Sequence, residues 1–243
     1  MTHLIHAELL RLRSLRSSYA IPAVVLALLA AIVIGGISDS AQNGDTTPDA
    51  LREPLIVGSG LLAAIVFAVF AAIHAAGDYR YRTITQRFLA TPRRGRVVAS
   101  KLLTHAFVAG VTAAVAVGVA FALGVLTVDA KHLTLALSAG EVAAMAGQAV
   151  LAVSLFATLG AVAGLLTRSQ SAAVVAVFGV FGAEKLVSVF SEQVAGYMPF
   201  GLLNSLLDIG GSTSPGVAAV SLTALTAGLA GVTALVVSRR DVA

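Results

Sequence analysis

With 243 residues, 58% of them hydrophobic and only 12% charged, and a mean hydropathy of +0.92, the chain lies far from the roughly 25% charged content of a soluble domain, which excludes an ordinary globular protein and reads as an integral membrane protein. Cysteine is absent, which excludes disulfides, thiolate metal sites and cysteine nucleophiles. The net charge of +4 sits in a few loops, so it reads as a topology signal and predicts no nucleic-acid partner.

Residues 1–18 carry Glu8, Arg11, Arg13 and Arg16 among Leu4, Ile5, Leu9, Leu12 and Leu15. The five apolar residues share one broad arc of a helical wheel, with Glu8 and Arg16 falling inside it. The pattern fits a helix lying along the cytoplasmic interface, or a solvated basic segment ahead of a first span. The apolar run that follows is longer than the core of a cleaved signal. Span one is expected over 19–37, with Pro22 in its first turn where a missing N–H is harmless. Residues 38–54 form an outer polar loop in which Asp39, Asp45, Asp49 and Glu53 outnumber the single Arg52, and span two follows over 55–77.

Residues 78–101, DYRYRTITQRFLATPRRGRVVASK, hold seven of the sixteen Lys and Arg residues. Burying all seven would cost on the order of 20 kcal/mol on insertion scales, so this basic island is expected in water or among lipid head groups. Span three covers 102–128, the outer link 129–141 carries Lys131, and span four covers 142–167. A tight inner turn at 168–170 leads into span five, 171–190, and span six, 216–238, closes on Arg239 and Arg240. Thirteen Lys and Arg residues then lie on one side, against Arg52, Lys131 and Lys185 on the other. That bias orients a multi-pass protein of the cell (plasma) membrane with both termini cytoplasmic.

Residues 191–215 place Leu202, Leu203, Leu206 and Leu207 at helical spacing but are broken by Pro199, Gly201, Gly210 and Gly211. Such a segment is too short to span. It reads as re-entrant, covered by protein or a water-filled cavity, or as a helix resting on the outer surface. The fold class is accordingly all-α: a polytopic helical bundle of six transmembrane helices in a single domain, 1–243.

Ionisable groups at membrane depth are few. Glu184 and Lys185 near the outer end of span five mark a gate or substrate position, or else reach water by snorkelling. His74 and His105 lie near the inner ends of spans two and three, where they can face each other; without a third ligand they read as packing residues and no metal site is assigned. Gly160 and Gly164 form a small-residue motif in span four, and Gly179 with Ala183 a weaker one in span five; ordinary intrachain contact is the favoured reading of each. Gln148 and Ser154 supply hydrogen bonds within the bundle. No GxxxxGK[ST] loop occurs, and the spans hold no paired carboxylates or positioned nucleophile, so no catalytic residue is assigned.

The order of parts, and above all the stretch Asp78, Tyr79, Arg80, Thr83, Ile84, Thr85, Leu89, Ala90, Thr91, Pro92, Arg93, Arg94 and Lys101, resembles the permease subunits of type-2 ATP-binding cassette (ABC) transporters. Family members often carry Glu where this chain has Asp78 and Gly where it has Arg82. The resemblance implies a cytoplasmic coupling helix, placed here over 81–89 and stopped by Pro92, that inserts into a separately encoded ABC ATPase dimer. The contact residues it implies are Glu8, Asp78, Thr83, Ile84, Thr85, Phe88, Leu89, Pro92, Arg93 and Arg94. Ile84, Phe88 and Leu89 are expected as exposed apolar groups in need of a partner, whereas Arg93, Arg94 and Arg96 serve equally well as head-group anchors. The resemblance also implies a second permease copy or a homologue beside this one, and no cofactor in this chain, since ATP and magnesium would be held by the ATPase. An exporter of an amphipathic or lipid-like small molecule is the leading reading. A self-sufficient secondary transporter would need inverted repeats and midplane charges, and an intramembrane enzyme would need a catalytic constellation within the spans.

Overall fold

The computed structural model describes residues 2–14, 17–81, 83–90, 93–133 and 137–239. These residues form helices and short connections with no strand among them. The chain is a multi-pass membrane protein with an all-α fold: among the described residues six helices are long and apolar enough to cross a bilayer, Tyr19–Gln42, Pro48–Arg80, Arg94–Ala130, Ala139–Thr167, Gln170–Phe190 and Pro215–Arg239. They run alternately up and down, so that one end of the bundle carries the basic segments and the other the acidic loops.

The helices are α1 (Thr2–Ser14), α2 (Ser17–Gln42), α3 (Pro48–Ile56), α4 (Ala63–Arg80), α5 (Thr83–Ala90), α6 (Arg94–Ala130), α7 (Ala139–Thr167), α8 (Gln170–Phe190), α9 (Glu192–Gly196), α10 (Pro199–Leu206) and α11 (Pro215–Arg239). A π-helical segment, Val57–Leu62, joins α3 to α4 without a break. Its wider turn brings Gly60 against Leu207, so close that a Cβ would come within 2.7 Å of Leu207 Cδ2, and Ser59 Oγ donates to the Leu55 carbonyl (2.6 Å).

Several spans are longer than hydropathy predicts. The expected polar loop 38–54 shrinks to the few residues between α2 and α3, because Thr47 caps α3 by accepting from the Ala50 N–H (3.4 Å) and Pro48 takes the first helical position. Asp49 and Glu53 therefore sit on helical turns. Ser138 and Glu141 form a reciprocal capping box that starts α7. Between α7 and α8, Arg168 adopts a left-handed conformation (φ 56°) and Ser169 caps α8, which turns the chain around within two residues. At the basic end α6 begins at Arg94 and not near Leu102; Val97 and Val98 are already buried, so the basic island contributes its last turns to a span.

The centre of the bundle is the contact between α4 and α7. Gly160 lies against the backbone of Ala68, and Gly164 against Ala72 and Ala75, with no room for a Cβ at either glycine. The motif at Gly160 and Gly164 is thus used within the chain, where small side chains let two backbones approach. A Cβ at Gly179 would meet nothing within 4 Å among the described residues. Helix α8 presents Val175, Phe178, Val189 and Phe190 outward.

After α8 the chain turns back into the bundle. The Phe200 ring packs edge-on against Phe156 (5.1 Å between centroids) and Phe181 (4.8 Å). Phe181 is about 14 Å of helix rise below the end of α8 at Phe190, so α10 starts well inside the bundle and climbs outward, burying Leu202, Leu203 and Leu206.

Candidate functional site

Four charges from three helices converge at the basic end. Glu8 of α1, Asp78 at the end of α4 and Lys101 of α6 are all buried, Asp78 with 0% and Lys101 with 1% of the residue exposed. Lys101 Nζ donates to Glu8 Oε1 (2.7 Å) and pairs with Asp78 Oδ2 (2.6 Å). Arg11, one turn beyond Glu8, pairs with Asp78 Oδ1 and lies 3.7 Å from Glu8. Two carboxylates and two cations cancel, which is the condition for holding charge in a low-dielectric setting.

The cluster reaches the basic loop through one more bond. Thr83 Oγ1, in the first turn of α5, donates to Asp78 Oδ1 (3.1 Å). Helix α5 is thereby tied to α4 directly, and through Asp78 to α1 and α6. Its apolar face faces the same way: Ile84 and Phe88 are buried in the core, and the Arg94 guanidinium lies over the Phe88 ring (5.2 Å).

These positions correct several expectations. Ile84 and Phe88 are not exposed groups awaiting a partner; of the three apolar residues singled out in this helix only Leu89 is, at 80% exposure, with Tyr81 also exposed nearby. Glu8 and Asp78, expected as contacts to another subunit, are turned inward onto Lys101 and Arg11. Lys101, counted with the solvated island, is inside the bundle because two carboxylates meet it there. Arg93 and Arg96 are exposed as expected. Pro92 and the side chain of Thr85 lie outside the described residues. Sequence reasoning missed the pairing, although the signal was present: Glu8 falls inside the apolar arc of α1, and an acid on a buried arc calls for a cation on the helix it faces.

One turn deeper, His74 and His105 face each other with ring centroids 6.5 Å apart. His105 Nδ1–H donates to the Lys101 carbonyl (2.8 Å), and His74 packs on Phe70. No group of three or more His, Asp or Glu able to hold a metal occurs among the described residues.

At the opposite end, Glu184 and Lys185 part company. Glu184 is buried and accepts from the backbone N–H groups of Phe200 (2.9 Å) and Gly201, so it caps α10 and does not snorkel. Lys185 is exposed, its amine 5.6 Å from the Phe181 ring.

No protein-family model matches the chain, and no curated protein or solved structure matches it.

Proposed function

We propose that the chain is the membrane-spanning permease subunit of a type-2 ABC exporter of amphipathic or lipid-like small molecules, driven by a separately encoded ATPase dimer that bears on α5. The observation that carries this reading is the bond from Thr83 to Asp78, which joins an amphipathic cytoplasmic helix to a charge cluster shared by α1, α4 and α6. A push on α5 is passed to three helices at once, as a rigid-body movement requires. The docking face is the outer side of α5 and its flanks, with Leu89, Tyr81 and Arg93 exposed. ATP and magnesium belong to the partner, because this sequence has no phosphate-cradling loop. The basic end faces the cytoplasm of a plasma membrane by the bias of Lys and Arg, and a second permease copy or homologue completes the transporter.

The test is purification of the tagged chain from its native membranes under mild detergent. Co-elution of an ATPase that Leu89→Glu removes is the expected result. Uphill transport by the purified chain alone, or labelling of a cysteine placed at position 89 from the exterior, would end the reading.

A further inference from the structure

A narrow groove of about 280 Å³ runs between α7 and α8, closed behind by α4 and α11 and above by the start of α10. Its walls include Phe156, Leu159, Ala163, Ala176, Val180 and Phe200. The one polar side chain on the wall, Thr167, spends its hydroxyl on the Ala163 carbonyl (2.8 Å). Water entering the groove would find at most the Thr167 oxygen as an acceptor, short of the two to four polar partners it needs. What suits the groove is hydrocarbon.

The roof separates this groove from a different environment. The Phe200 ring lines the groove, while the Phe200 and Gly201 N–H groups are held by Glu184. Glu184 lines a second cavity of about 350 Å³ with Lys185, Glu192, Asn204 and Ser212, open toward the end opposite the basic loops. An apolar slot and a polar vestibule thus abut across the start of α10. The slot follows α7 from Thr167, its last residue at the basic end, to Phe156, about 17 Å of rise.

We infer that the groove between α7 and α8 is a binding site for an alkyl chain of an amphiphile, taken from the leaflet at the basic end, with Phe200 as the plug between it and the polar vestibule. The inference deepens the exporter reading by naming the chemistry of the cargo and rests on that reading only for the direction of movement. The occupant is an alkyl chain because the wall is hydrocarbon apart from one hydroxyl that already donates to a backbone carbonyl, and the polar vestibule beyond Phe200 suits the head group of the same molecule.

The absence of native tryptophan makes the test direct. Val180→Trp places an indole at the mouth of the groove, where Val180 is 43% exposed, and Val175→Trp places one on the outward face of α8; Phe200→Trp, at a buried position, is the second groove reporter should Val180→Trp fail to elute as a folded species. Each is purified without any ATPase, reconstituted in phospholipid nanodiscs and titrated with an alkyl maltoside brominated on its chain. Saturable quenching at the groove reporter, non-saturating quenching at position 175, and about tenfold or greater weakening of the saturable phase by Ala163→Phe, whose ring fills the slot, are expected. Parallel, non-saturating quenching at both positions means that the groove holds bulk lipid only and overturns the inference, as does saturation untouched by Ala163→Phe. Saturable binding in a chain that recruits no ATPase would leave the site standing and remove the ABC reading.

Discussion

Lys101 of α6 and Asp78 of α4 form an ion pair of 2.6 Å that closes the basic excursion between two spans into a staple. With Glu8 on the other side of the amine (2.7 Å), the staple also holds α1 against the bundle. Removing one partner of a buried pair strands the remaining charge at a cost of about 3–5 kcal/mol. Lys101→Met is therefore expected to lower the thermal unfolding temperature of the detergent-solubilised protein markedly. Combining it with Glu8→Gln, which removes one stranded carboxylate, recovers part of the loss. A Lys101→Met protein as stable as the parent would show that the amine is not held between the carboxylates.

The Thr83 hydroxyl donates to the Asp78 carboxylate (3.1 Å) and also lies 3.4 Å from the Asp78 carbonyl. Its loss costs about 1.5–3 kcal/mol and loosens the tie between α5 and the spans. Under the proposed exporter function, Thr83→Val is expected to keep fold and ATPase association while lowering ATP-driven transport per ATP hydrolysed, measured in proteoliposomes. An unchanged transport-to-hydrolysis ratio would remove Thr83 from the linkage.

Leu89 and Ile84 share α5 but differ in exposure, 80% against 3%. Leu89→Glu is expected to leave the chain monodisperse on size exclusion and, under the proposed function, to abolish ATPase capture. Ile84→Glu buries a carboxylate without a partner and is expected to aggregate. Equal behaviour of the two variants contradicts the orientation of this helix.

Gly160 and Gly179 make the same comparison for small residues. A methyl at Gly160 meets the Ala68 backbone, whereas Gly179 has open space beside it. Gly160→Ala is expected to destabilise by roughly 1–3 kcal/mol through overpacking, and Gly179→Ala to stay within about 0.5 kcal/mol of the parent. Thermal unfolding followed by light scattering separates them.

Glu184 holds the start of α10 through two backbone N–H groups. The natural chain has no cysteine, so one placed at Val180 reports access to the groove from the vestibule. A membrane-impermeant maleimide is expected to leave that cysteine unlabelled in the parent and to label it with Glu184→Ala, with Glu184→Gln intermediate because an amide oxygen still accepts one N–H. Rapid labelling of the parent would mean that Phe200 does not plug the slot.

Much of this architecture is legible along the chain. The six apolar runs, the basic island, the tight turn at Arg168 and the broken segment around Pro199 all appear in one dimension, and each has its counterpart among the helices. The legibility has a physical basis: the free energy of placing a residue in a bilayer adds up locally, residue by residue, and so does the cost of a Pro or Gly in a helix. The site is read less well. Leu89 and Arg93 emerge on the exposed side as their sequence suggests, but Ile84, Phe88, Glu8, Asp78 and Lys101 do not.

The number of crossings, their alternation and the grouping of positive charge at one end belong to the order of residues, because hydropathy asks only how each side chain fares in lipid or water. Which charges go inside belongs to the folded bundle. Lys101 is prohibitive to bury alone and is buried here because Glu8 and Asp78 arrive from two other helices, and Glu184 is held by two N–H groups from a segment that folds back onto it. Coulomb attraction at under 3 Å is a property of pairs, and those pairs exist only once the helices have chosen which faces to bring together.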